Sequence, residues 1–233
     1  MLRWEIKKLT RNVWNIPIIT SVICLWGIML YFSTQARFWY ILGSLALGFI
    51  ILFISTRLFI LDEEEKVSEV ILTTKYGRWN LLFQRVMTAG IYTTGIVILF
   101  LFIQVIGVLL FNRNEIDVHE LLTVHFLKGC LLVWGGSVLF SVFTACLCTI
   151  FKSHGVTAIL SGILFGMTYI LRGNLLQQYS FEWFLEKGLF SYLIRGENGL
   201  FEPQWVVIIV WYVFLMVSMI TITIIIQFRR HEI

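Results

Sequence analysis

The chain reads as a series of long apolar runs separated by short polar breaks. Runs at about 16–33, 38–61, 87–111, 129–151, 156–172 and 205–227 are nearly free of charge. Crossing a hydrocarbon layer of about 30 Å at 1.5 Å per residue takes roughly 20 residues, and these runs approach or exceed that length. In lipid every backbone N–H and C=O must be paired within the structure, which leaves helices or a closed barrel. Barrel strands alternate apolar and polar positions, whereas residues such as 96–110 are apolar almost throughout. The pattern therefore predicts an all-α integral membrane protein: one transmembrane domain over 1–233 with six transmembrane helices.

The stretches between the runs have characters of their own. In residues 1–15, Leu2, Ile6, Leu9 and Val13 share one helical face and Arg3, Lys7 and Arg11 another, which predicts an N-terminal interfacial amphipathic helix. No small-residue cleavage site follows the first run, so a cleaved signal peptide is not expected. Segment 173–204 is too apolar for a solvated loop, with Trp183 and Tyr192 among many leucines and phenylalanines. It reads as an apolar, re-entrant-like helical segment before the last span, dipping into the outer interface. The loop at about 62–86 is the reverse, rich in charge of both signs.

Composition agrees. Of 233 residues 58% are hydrophobic and 14% charged, against about 25% charged in soluble domains. Charge placement sets orientation. With the N-terminus inside, twelve Lys and Arg fall on inside segments and six on outside ones, together the 18 in the chain. Both termini are expected in the cytoplasm of a multi-pass protein of the cell membrane, most simply a bacterial plasma membrane. Cys24, Cys130, Cys146 and Cys148 all lie in apolar runs and read as small core residues, not disulfide partners. Ser137, Ser141 and Ala145 in the fourth run, and Ala158, Gly162 and Gly166 in the fifth, recur every four residues. That spacing predicts close packing of a 4–5 hairpin joined by a tight turn at 152–155.

Chemistry is sparse. Gln104 and Thr94 are candidates for lining a substrate path in the third span, although an interhelical hydrogen bond is the commoner use of such groups. Arg57 reads as an anchor snorkelling from the end of the second span. Glu63 and Glu64 lack a histidine that meets them within the bilayer, and Glu115 with His119 supplies two metal ligands where a closed site needs four. No catalytic residues, no metal site and no cofactor in this chain are expected.

The most informative stretch is 62–79. Acidic residues 62–65 favour a helix N-terminus. Val67, Val70, Ile71 and Thr74 share a face, and Gly77 can end the helix. The product is a short amphipathic helix below the membrane, of the kind that docks in a partner's groove.

This layout, with the phrase Glu-Val-Ile-Leu-Thr-Thr-Lys-Tyr-Gly-Arg at 69–78, resembles the type-2 ABC exporter permeases (the ABC-2 type). In that family's first cytoplasmic loop a glutamate precedes a Leu-x-Thr stretch and an arginine follows. The pattern maps to Glu69, Leu72, Thr74 and Arg78, with Lys75 where many members have proline. The resemblance covers the whole chain in layout and about ten residues in motif. It implies that Glu69, Val70, Leu72, Thr73, Thr74, Lys75 and Arg78 form a coupling helix seated on a separate ABC ATP-binding subunit. It further implies a second permease subunit in a homo- or heterodimer, and ATP and Mg held by the partner ATPase. This chain has no Gly-x-x-x-x-Gly-Lys-Ser/Thr sequence of its own. The cargo implied is amphipathic, peptide or lipid-like, since the spans offer almost no charge; antimicrobial-peptide export fits. Two alternatives stay open at this point: a non-transporting membrane scaffold or sensor subunit, and a membrane-embedded enzyme. No nucleic acid is expected as a partner.

Overall fold

A computed structural model describes residues 20, 46–57, 77–111, 124–170, 193 and 204–229. These residues form helices and the turns that join them: α1 (Ala46–Arg57), α2 (Gly77–Phe111), α3 (Val124–Phe151), α4 (His154–Ile170) and α5 (Trp205–Arg229). Three stretches among them are long and apolar enough to cross a membrane: Leu82–Ile103, Leu127–Phe151 and Trp205–Gln227. The chain is a helical membrane protein. The predicted interfacial helix at 1–15, the first span at 16–33 and most of the segment at 173–204 lie outside the described residues.

The helices arise from sequence in the expected way, with one shift of boundary. α2 begins at Gly77, ten residues ahead of the run expected at 87–111. Gly77 is helical, and the short helix expected ahead of it at 62–76 lies outside the described residues. The physical reason for the early start is local. Gln84 and Arg85 interrupt the apolar run, but both are good helix formers, and Leu82, Phe83 and Val86 carry the apolar pattern across them. At 35 residues, α2 is about 52 Å long and overreaches a hydrocarbon layer of about 30 Å.

α3 is the centre of the bundle. It packs against α2, α4 and α5, and 67% of its apolar window is buried, against 33% for α2 and 17% for α5. α3 and α4 form the tight hairpin. The chain turns at Lys152 and Ser153 alone, with the Lys152 N–H donating to the Cys148 carbonyl at 3.0 Å and the Thr157 N–H to the Ser153 carbonyl at 3.1 Å. Lys152 takes the left-handed conformation, φ 50°, that usually closes a helix at glycine. Gly155, expected in the turn, is already helical. This end of the bundle is called the turn end below.

Neighbouring contacts fix the other directions. The Lys128 ammonium sits over the Trp205 ring, 5.6 Å from its centre, and Gly135 abuts Tyr212, so α3 and α5 run parallel. Gly48 meets Phe165 and Gly162 meets Leu52, so α1 and α4 run antiparallel. The Phe165 ring lies between Phe140 of α3, at 5.3 Å, and Phe49 of α1, at 6.3 Å. Leu193, one of two described residues of the segment 173–204, is helical and fully buried, its backbone close against Gly136.

The polarity of this bundle is that of a protein in lipid. Large side chains such as Ile98, Phe102, Ile159, Val210 and Phe214 are half or more exposed, all at 59% or above. A soluble domain would bury them at about 1.5–3 kcal/mol each. Every buried polar side chain among the described residues is a serine or threonine.

The packing predicts a contrast between two glycines. A methyl group on Gly48 would overlap the buried Phe165 ring, whereas one on Gly166 meets nothing within 4 Å. Gly48→Ala should lower unfolding stability in detergent or bilayer by about 1–3 kcal/mol. Gly166→Ala should raise it by up to about 1 kcal/mol through helix propensity. Equal effects at the two positions would contradict this packing.

Candidate functional site

The residues expected to couple to an ATPase divide at the edge of the description. Glu69, Val70, Leu72, Thr73, Thr74 and Lys75 lie outside the described residues. Arg78 stands in the first turn of α2, where the backbone alone is described. Its position is nonetheless informative: the Glu69–Arg78 phrase runs directly into a helix that continues without interruption for 35 residues. Glu63, Glu64, Glu115 and His119 also lie outside the described residues. Gln104 is on α2, with only its backbone described.

Thr94 is placed in full. Its hydroxyl donates to the Gly90 carbonyl at 2.8 Å and accepts the Trp134 indole Nε1–H at 3.0 Å. The first bond is the usual way a threonine in a lipid-embedded helix satisfies its own proton. The second ties α2 to α3. Thr94 was a candidate for lining a substrate path; in the structure its hydroxyl makes an interhelical bond. Thr94 carries no spare proton toward a substrate in this arrangement.

A second tie joins α1 to α3 through the Ser55 and Ser141 hydroxyls, 3.1 Å apart and buried. Most other buried hydroxyls turn back on their own helix. Thr88, Thr144, Thr149, Thr157 and Thr223 each donate to the carbonyl four residues earlier, at 2.8 or 2.9 Å. Ser137 and Ser161 differ: both are fully buried and their hydroxyls have no hydrogen-bond partner.

At the turn end the Cys148 thiol lies 3.5 Å from His154 Nδ1. The pair spans the Lys152–Ser153 turn and clasps the hairpin. Cys146 and Cys148 are buried thiols and Cys130 is partly buried, none of them in a disulfide, as expected of small core residues. No group of three or more His, Cys, Asp or Glu comes together among the described residues. Arg57, read as a snorkelling anchor, ends α1 with its guanidinium over the Phe53 ring, 5.9 Å from the centre. Its Nε is buried without a hydrogen-bond partner.

Sequence reading missed the Thr94–Trp134, Ser55–Ser141 and Cys148–His154 pairs. The last was accessible, since a two-residue turn between antiparallel helices brings the first residue after it close to the last turn of the helix before it. The first two needed the rotation of each helix about its axis. The small-residue pattern was assigned to the wrong neighbour in part: Ser141 faces Ser55 of α1 and Gly162 faces Leu52 of α1.

Compared with family models, with characterised proteins and with solved structures, the chain matches none.

The Thr94–Trp134 bond gives a direct test. In a double-mutant cycle of Thr94→Val and Trp134→Phe in bilayers, the coupling should be about 0.6 kcal/mol, the usual size of an interhelical hydrogen bond in lipid. Additive effects would show that the two groups do not hold the helices together.

Proposed function

We propose that the chain is the transmembrane permease subunit of an ABC exporter. In this reading it works as one of two permease subunits, with itself or a related chain. ATP, with Mg, is hydrolysed by a separate ATP-binding subunit. The chain crosses the cell membrane six times with both termini in the cytoplasm, and the cargo is an amphipathic peptide or lipid-like molecule.

The observation that carries the reading is the phrase at 69–78 and its place in the chain. A glutamate and a Leu-x-Thr stretch stand immediately ahead of α2 in sequence, the arginine of the phrase lies in its first turn, and α2 is continuous from Gly77 to Phe111. A segment gripped at Glu69–Arg78 would pull on a long helix. That helix lies against the central α3, so a displacement of the segment would pass into the bundle as movement of packed helices. The interior supports the choice of cargo. Among the described residues, the buried polar side chains are hydroxyls, most of them bonded within the bundle. An interior of this kind offers no counter-charge to a small ion or polar solute.

Two measurements test the proposal. The purified chain should bring an ATP-binding subunit with it in a two-to-two assembly. Glu69→Ala and Arg78→Ala should leave insertion and folding intact while weakening the grip of that subunit about tenfold or more, the size expected for a central contact in an interface. Full coupling of ATP hydrolysis to transport in both variants would remove the docking role. Purification without any nucleotide-binding partner would remove the transporter reading itself.

A further inference from the structure

The apolar interior is not continuous along α2. Toward the turn end, Leu82, Val86 and Ala89 are buried in a cluster with α3 and partly buried side chains of α5. Toward the opposite end, Val97 and Phe100 belong to a separate and larger cluster, which draws buried residues from α1, α3, α4 and α5 as well. Tyr92 still packs against the smaller cluster and Ile96 against the larger, so the change from one to the other falls at residues 93–95, where Thr93 is the buried side chain. Met216 and Met219 of α5 pack against both clusters, and methionine is the apolar side chain that adapts most readily to a changing gap.

The stretch around this change is rich in glycine and threonine. It holds Gly90 and Gly95, and a Cβ added at either would meet nothing within 4 Å. Packing within this chain therefore does not require a glycine at either place, although glycine loosens a helix. Thr94 donates to the Gly90 carbonyl across the same turn, a bond that bends helices. Thr93 is buried here, and at the same level of the bundle, next to Trp134 that bonds Thr94, α3 holds the unpartnered, fully buried hydroxyl of Ser137. Kinks in helices arise at such glycine and hydroxyl groupings.

We propose that α2 is a jointed rod that flexes at Gly90–Gly95. Its turn-end half shifts against the α3–α4 hairpin, and its other half stays fixed with the larger cluster. The joint is a property of the bundle alone and does not rest on the transport reading. It requires no ATP-binding subunit.

The test uses the full chain in lipid bilayers, with the native cysteines replaced by alanine and spin labels placed in pairs at exposed positions. One pair, Phe83 and Ile159, reports on the turn-end half of α2 against α4. The other, Phe102 and Ile163, reports on its fixed half. The distance distribution of the first pair should be about twofold wider than that of the second, as for segments either side of a hinge. The double variant G90A/G95A should narrow the first distribution to the width of the second. Equal widths in the wild-type chain, whether both narrow or both broad, would overturn the joint even if the double variant failed to fold. A first distribution left unchanged by a folded double variant would overturn it as well.

Discussion

The structure depends on one constraint: a polar group inside this bundle has no water to turn to. The backbone answers by staying helical, and α2 keeps its helix intact for 35 residues. The side chains answer by being hydroxyls. Serine and threonine are small enough to let helices approach and can pass their proton to a carbonyl four residues back. Where two of them meet across helices, as Ser55 and Ser141 do, or where Thr94 meets the Trp134 indole, the same groups become the ties between helices. With no hydrophobic effect to gather the helices in lipid, such ties and the close fit of Gly48 on Phe165 carry the packing. α3 supplies most of them, which is why the other helices arrange around it.

Much of this was legible in the sequence and some was not. The existence of the helices at 124–151, 154–170 and 205–229 follows from uninterrupted apolar runs, and their ends fall within a few residues of expectation. The start of α2 was harder to read because charge marks the end of an apolar run, while a helix ends where its backbone bonding fails. Arg85 ends the first without disturbing the second. Facing was harder still. An amphipathic helix declares its buried side, but a helix that is apolar all round does not, so Ser141 and Gly162 gave no sign that α1 was their neighbour. The candidate coupling residues were legible only as a motif, and the described residues reach them at Arg78 alone.

The same features bear on function. A permease needs a part that is gripped, a part that transmits and a part that yields. In the proposed reading the segment at 69–78 is gripped and α2 transmits. The interruption between the two apolar clusters, bridged by Met216 and Met219, is where the bundle yields. The outward sides of α2, α4 and α5 are clad in large apolar groups.

The account as a whole stands on α3 being the shielded centre of a lipid-embedded bundle. Residue-level carbene labelling of the native chain in bilayers, from a lipid-borne diazirine and read by mass spectrometry, tests that directly. Val210, Phe214 and Val217 of α5, with Ile159 and Ile163 of α4, should be modified, and Leu132, Leu139 and Phe140 of α3 should not. Modification of the α3 residues as heavy as that of α5 would contradict the arrangement described.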